Sequence, residues 1–124
     1  ASGLRGWKGT PGYLRRTWGD GWALVGDAGY FKDPITSHGM TDALRDAELL
    51  ANAVLSTLSG CDEASAFAAY ERTRDRLSRD MFEATEAVAA YDWNLDKVRR
   101  LLREVSSAMG AEVDHLQALQ LPAA

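Results

Sequence analysis

Residues 21–47 have the sequence GWALVGDAGYFKDPITSHGMTDALRDA, and this stretch decides how the rest of the chain is organised. The apolar run 22–25 is too short for a helix and lies between glycines, so it predicts a buried strand. Gly26 begins a turn, and a loop containing Pro34 follows it. Gly39 marks the start of a helix. The stretch therefore predicts a strand, a turn, a loop and a helix in succession.

The predicted helix has one apolar face. Its apolar residues recur at the spacing of an amphipathic helix, at Met40, Ala43, Leu44, Ala47, Leu50, Ala51, Val54, Leu55 and Leu58. Asp27 precedes this helix at the carboxyl end of the predicted strand, where α/β folds place ligand-binding groups. The free amides at a helix start attract electron-rich ligand oxygens. Asp27 and the start of the helix together predict a ligand site.

These residues resemble the second flavin motif of FAD-dependent monooxygenases and their relatives, a group that includes para-hydroxybenzoate hydroxylases, flavin-dependent halogenases and geranylgeranyl reductases. The matching elements are the apolar strand, Gly26-Asp27-Ala28, Pro34, Gly39, Ala43 and Asp46-Ala47. The resemblance implies that Asp27 binds the ribityl chain of FAD and that Pro34 packs beside the flavin ring. It also implies that the amides of Gly39 and Met40 face the pyrimidine edge of the ring. The expected cofactor-binding residues are therefore Gly26, Asp27, Pro34, Gly39 and Met40.

The other half of an FAD site is absent from the sequence. Binding of the pyrophosphate needs Gly-x-Gly-x-x-Gly after a first strand, and no such motif occurs. One hydrogen bond to an aspartate contributes roughly 1.5–3 kcal/mol, and tight FAD binding requires several times that free energy. We therefore expect the carboxyl-terminal portion of an FAD-dependent oxidoreductase, a fragment of a larger FAD/NAD(P)-binding α/β fold. Alone it should bind FAD weakly or not at all and show no turnover.

In the complete enzyme, the resemblance implies FAD and a small organic substrate as partners, with NAD(P)H as a candidate electron donor. Hydroxylation, halogenation and reduction all remain open as the reaction. No residue of the sequence is identified as a catalytic acid or base. The histidines, His38 and His115, and the single cysteine, Cys61, are distant in sequence, so no metal site is predicted. His38 is either an exposed loop residue or a residue on the substrate side of the flavin.

Composition limits the function classes. The 124 residues correspond to one domain or a part of one, and the net charge of -4 gives no general attraction to nucleic acid or anionic membranes. A single cysteine excludes an internal disulfide and fits a reducing compartment, so a cytoplasmic location is expected. No apolar run approaches the roughly 20 residues that span a bilayer.

The expected fold is α+β and mostly α-helical. We expect one domain or fragment over residues 1–124, with a strand and turn segment over 1–38 and a helical portion over 39–124. Residues 13–25 predict a β-hairpin around the turn at 19–21. Three to four helices should follow.

Capping residues and glycines mark the predicted helix boundaries: Ser59-Gly60 after the first helix, Asp62 before the second, Asn94 before the third and Gly110 after it. The second is one long helix, or two with a bend near residues 79–80. A short fourth helix is predicted over residues 112–119.

Two groups of charged residues are predicted to lie at the surface. On the polar side of the first helix, Asp42, Arg45 and Glu48 are predicted to form a solvated face. Asp46 is the exception, because the resemblance implies an aspartate at this position with a structural role, tying the helix to the strand. On the second helix, Tyr70 and several arginines alternate with acidic residues, which favours a salt-bridged surface over a nucleic-acid site. The arginines are Arg72, Arg74, Arg76 and Arg79.

A second function class remains open. The chain could be a small helical protein-interaction module that keeps the fold of the motif without flavin chemistry. Its apolar helix faces would then be partner surfaces. The surface that the missing half would cover separates the two classes: if it is exposed and apolar, dimerisation or strand exchange should follow, whereas a true module should be monomeric and polar there.

Overall fold

The computed structural model describes residues 9–120, which form short antiparallel strands followed by three helices. The strands are β1 (Tyr13–Leu14), β2 (Trp18–Gly19), β3 (Trp22–Ala23) and β4 (Tyr30–Phe31). The helices are α1 (Gly39–Leu58), α2 (Glu63–Ala89) and α3 (Leu95–Gln120). Single 3-10 turns at Gly26–Ala28 and Pro34–Thr36 lie on either side of β4. The predicted α+β, mostly helical fold is confirmed, while residues 1–8 and 121–124 lie outside the described part.

The strands pair in two separate ribbons. β2 and β3 form the predicted hairpin, in which Trp18 lies opposite Ala23 and Gly21 takes a φ of 77° in the turn. β1 pairs instead with β4, so Tyr13 lies opposite Phe31. The sequence predicted no strand at residues 30–31, because the pairing of β4 depends on a partner far away in the chain. The strand predicted over residues 22–25 is shorter in the structure, because β3 ends at Ala23.

The helix caps follow the sequence, with one exception. The Asp62 carboxylate accepts a hydrogen bond from the Ser65 amide at 2.8 Å, and Asn94 Oδ1 accepts one from the Lys97 amide at 2.9 Å. α2 is a single helix without the alternative bend. The predicted end of α3 at Gly110 and the separate fourth helix are wrong. A glycine within a helix costs only about 1 kcal/mol, and burial of α3 on both sides of it offsets this loss.

α2 is the central helix of the bundle. On one side it packs against α1 through the cluster Leu49, Ala53, Tyr70 and Leu77. On the other side it packs against α3 through the cluster Met81, Ala84, Val105 and Ala108. Within residues 9–120, no helix combines the length and the apolar character needed to cross a membrane.

One face of α1 exposes large apolar side chains, while charged side chains are buried on the face that also carries Leu49 and Ala53. Met40 is 82% exposed, Leu44 73% and Leu58 79%. Asp42 and Arg45 are buried, so the predicted solvated face is wrong for these residues. Asp46, which was excepted from that face, is buried as well. The reason is that α2 and α3 supply polar partners to the charged face, which sequence periodicity alone does not reveal. The apolar face of α1, formed by Met40, Leu44, Leu55 and Leu58, is left without a partner among the described residues.

Candidate functional site

An open cavity of about 620 Å³ lies at the amino end of α1. We call it the motif cavity, and its lining residues are Val25, Gly26, Asp27, Pro34, Ser37, Gly39, Met40 and Ala43. The cofactor-binding residues predicted from the sequence all belong to this set. They come from the turn after β3, the turn after β4 and the first residues of α1. The fold therefore brings together residues that are up to 14 positions apart, as position 26 and position 40 show.

Gly26 allows the turn to lie directly on α1. Its φ is 53°, and a Cβ at this position would lie 2.9 Å from the Cβ of Ala43. Any other residue would therefore be strained and would push the turn away from the helix. Asp27 is exposed beside the helix start, and a Cβ on Gly39 would lie 3.7 Å from its Oδ1. The Asp27 carboxylate and the first amides of α1 thus border the same space.

Hydrogen bonds from other elements fix this turn. Tyr13 Oη donates to the Asp27 carbonyl at 2.8 Å, and the Gly26 amide donates to Asp46 Oδ2 at 3.1 Å. The predicted role of Asp46, a tie between helix and strand end, is confirmed by the second bond. Arg74 on α2 donates to the Gly29 carbonyl at 3.0 Å. Arg74 is fully buried, so its predicted place on a salt-bridged surface is wrong.

Behind the motif cavity lies a buried group of charges, which we call the Arg45 network. Its members are Lys32, His38, Asp42, Arg45, Asp46 and Glu112. The Arg45 guanidinium donates to Asp46 Oδ1 at 2.7 Å and to Glu112 Oε1 at 2.8 Å. It also reaches Asp42 Oδ1 at 3.1 Å. One side chain therefore joins α1 to α3, and a further bond of 2.9 Å to Ser78 Oγ reaches α2.

The environment of the network shifts the pKa values of its members. Burial raises the pKa of Asp46 and outweighs the lowering effect of Arg45. Burial also acts to raise the pKa of Glu112, but the hydrogen bond with His38 and the charge of Arg45 bring it below its ordinary value. Burial acts to lower the pKa of Arg45, and Asp46 and Asp42 reverse the effect and raise it. Arg45 and Glu112 therefore form a charged pair at neutral pH.

His38, Asp42 and Glu112 also place potential metal ligands within 4.8 Å of one another. Asp42 already binds Lys32 and Arg45, and Glu112 already binds Arg45 and His38. A divalent cation would have to displace these partners beside two fixed positive charges. We therefore interpret this group as an ionic network. His115, predicted at the surface, is half-buried.

The chain resembles part of a brominase. A segment of 52 residues is 40% identical to the 1H-pyrrole-2-carbonyl-[peptidyl-carrier protein] brominase of Pseudoalteromonas luteoviolacea (strain 2ta16). The segment is 42% of this chain and 13% of the brominase, so the similarity spans a small part of that protein's length. No protein-family model matches the chain, and no solved structure matches it significantly. Bromination is a halogenation, and halogenases are one of the classes that the Gly-Asp motif resembles.

Sequence reasoning missed Arg74 and Glu112, although a signal for both was present. Arg74 lies in the apolar register of α2, between Tyr70 and Leu77, and Glu112 continues the register of Val105 and Ala108 on α3. A charged residue at a position that periodicity assigns to the core must find a buried partner. A charged residue within an apolar register therefore indicates a buried polar network, and this signal can be read from the sequence alone.

The phenol of Tyr30 should make the stability of the chain depend on alkaline pH. Burial, followed by the negative charge of Asp42, raises the pKa of Tyr30 well above its ordinary value. In the unfolded chain the Tyr30 phenol loses its proton near pH 10, whereas in the folded chain it keeps the proton to higher pH. The contribution of Tyr30 to the free energy of unfolding is therefore fully present below pH 10 and is lost as the pH rises above it. Above pH 10, urea unfolding of the unmodified chain should show a free energy of unfolding that falls by up to about 1.4 kcal/mol per pH unit because of Tyr30. This part of the fall should be absent in Tyr30→Phe.

The matched control is Tyr91→Phe, since the Tyr91 side chain is 71% exposed. Its free energy of unfolding should follow that of the unmodified chain across the same pH range. Parallel curves for Tyr30→Phe and the unmodified chain would show that Tyr30 ionises equally in both states and would contradict the prediction.

Proposed function

We propose that this chain is the flavin-facing wall of an FAD-dependent oxidoreductase of the halogenase type, supplied by the carboxyl-terminal portion of a larger enzyme. The observation that carries the proposal is the motif cavity, in which the residues of the Gly-Asp motif meet. The similarity of a 52-residue segment to a brominase supports the same class. When bound, the flavin supplies the oxidation chemistry of such enzymes.

The residues of the cavity fit the chemistry of a flavin. The exposed Asp27 carboxylate can accept hydrogen bonds from ribityl hydroxyls, and Pro34 offers an apolar face to a ring. Gly39 and Met40 begin a helix of 20 residues, whose amino end carries a partial positive charge. Such an end stabilises negative charge on a bound ring. The chain would thus bind and orient the cofactor and keep water from one side of it.

The unpartnered apolar face of α1 supports the view that the chain works within a longer protein. Met40 borders the motif cavity, and Leu44 and Leu58 continue the exposed face along the helix. Large contiguous apolar surfaces are unusual on isolated monomers. We propose that a flavin-binding α/β domain covers this face. We also propose an aromatic compound as the substrate class, since the brominase's name describes a pyrrole-2-carbonyl group on a peptidyl-carrier protein as the group that protein brominates.

The alternative function is a helical interaction module, in which a partner protein would cover Met40, Leu44, Leu55 and Leu58 and the motif cavity would hold no cofactor. A true module should be monomeric, whereas an apolar face that belongs against a neighbouring domain should favour dimerisation. The two proposals differ in what the Asp27 carboxylate does.

The test is a titration of the purified chain with FAD, followed by flavin fluorescence and by the amide resonances of Gly39 and Met40. We expect weak binding, with a Kd on the order of 1 mM, because only part of the site is present. Asp27→Ala should weaken it by about tenfold or more, the value of one hydrogen bond to a charged group. Asp20→Ala is the control, since Asp20 is exposed in the turn of the β2–β3 hairpin.

Equal FAD affinities for Asp27→Ala and the unmodified chain would overturn the proposed role of Asp27. Absence of any FAD-induced change at Gly39 and Met40, in a chain that stays monomeric in sedimentation, would favour the interaction module.

A further inference from the structure

Glu112 connects the last helix to the start of α1. It is 3% exposed, and its Oε2 lies 2.5 Å from His38 Nε2. His38 is the residue before Gly39 and occupies the N-cap position of α1, although its side chain makes no capping hydrogen bond. The two residues are 74 positions apart in the chain. A carboxylate on α3 thus fixes the residue from which the cavity-lining end of α1 begins.

The other oxygen of Glu112 leads through two side chains to Gly26, which also lines the cavity. Oε1 accepts a hydrogen bond from Arg45 at 2.8 Å, and Arg45 binds Asp46 Oδ1 at 2.7 Å. Asp46 Oδ2 accepts the hydrogen bond of the Gly26 amide at 3.1 Å. The path from Glu112 therefore ends at the turn that carries Asp27.

We infer that Glu112 is a positioning residue for the motif cavity, holding the helix start through His38 and the Gly-Asp turn through Arg45 and Asp46. The part of this inference that concerns flavin rests on the proposed function. Glu112 does not line the cavity, so it acts through these side chains and not by contact with a ligand. The negative charge of Glu112 matters because His38 and Arg45 both bind it through nitrogen donors. Such donors form stronger hydrogen bonds with a charged carboxylate than with the oxygen of a neutral amide.

The experiment compares Glu112→Gln with Glu104→Gln in the full 124-residue chain. Glu104 lies on the same helix with its side chain 52% exposed, so its variant is a matched control. Glutamine keeps the shape of glutamate and removes the charge. In Glu112→Gln, hydrogen exchange of the Gly26 amide should be about tenfold faster, and the Kd for FAD about tenfold higher. Glu104→Gln should change neither quantity.

A third variant separates positioning from a general loss of stability. Leu101 is a buried residue of α3, 6% exposed, and Leu101→Ala should loosen α3 without changing the charges around Arg45. Measured well below both thermal midpoints, Leu101→Ala should keep the FAD Kd of the unmodified chain. If Leu101→Ala and Glu112→Gln raised the Kd equally, the role of Glu112 would be structural only and the inference would be overturned.

The exchange of the Gly26 amide tests the inference without any flavin. An exchange rate unchanged by Glu112→Gln would overturn the inference even if FAD bound as proposed. A faster rate in a chain that gives no response to FAD would support the positioning path and would contradict the expected Kd for FAD.

Discussion

Replacement of Arg45 by methionine should lower the free energy of unfolding by about 3–5 kcal/mol, the usual result when one partner of a buried ion pair is removed. The Arg45 side chain is 1% exposed and binds three carboxylates, those of Asp42, Asp46 and Glu112. Methionine fills much of the same volume, so the loss reflects the unpaired charges more than a cavity. Lys32 and His38 would remain as partners for Asp42 and Glu112. Asp46 would retain only the Gly26 amide among these contacts.

Urea unfolding followed by circular dichroism measures this effect. Arg99→Met is the control, because the Arg99 side chain is 62% exposed and lies 3.8 Å from Asp96. An exposed pair of this kind contributes at most about 1 kcal/mol. A loss for Arg45→Met as small as that of the control would show that the buried carboxylates are satisfied without the guanidinium.

Replacement of Arg74 by methionine should lower the free energy of unfolding by about 3 kcal/mol, since hydrogen bonds from a charged donor contribute roughly 1.5–3 kcal/mol each. Arg74 donates to the carbonyls of Gly29 and Arg15, at 3.0 Å and 2.6 Å. Its Nε also lies 2.8 Å from Asp75 Oδ1, though without hydrogen-bond geometry. Both bonded carbonyls belong to the strand segment, so the variant should also loosen the turn that carries Asp27.

Unfolding in urea and hydrogen exchange at residues 26–29 report the two consequences of Arg74→Met. Arg76→Met serves as the control, because Arg76 is exposed on the same helix two residues further on. If both variants lost the same small amount of stability, α2 would not anchor the strand segment through Arg74.

Local patterns were enough to predict the elements. Asp62 and Asn94 cap helices through residues three positions further on, so their roles were visible in the sequence. The motif cavity was predictable for the same reason, since its lining residues all fall within residues 25–43. The roles assigned to them with respect to flavin stay predictions.

The long-range features were not predictable in this way. β4 pairs with β1, so the paired residues Leu14 and Tyr30 are 16 positions apart and Tyr13 and Phe31 are 18 positions apart. The charged face of α1 has the spacing of a solvated surface, but it is buried because partners from other elements bind it, among them Ser78 from α2 and Glu112 from α3. Gly110 has the chemistry of a helix end, but tertiary packing overrides this preference.

The Arg45 network also has a consequence for the order of folding events. The packing of α2 on each neighbour joins helices that are adjacent in the chain, so these contacts need short loop closures and can form early. The bond between His38 and Glu112 requires all three helices to be in place and must therefore form late. Contacts absent from the transition state affect mainly the unfolding rate. The Arg45 network should therefore slow the unfolding of the helix bundle and have little effect on its folding rate.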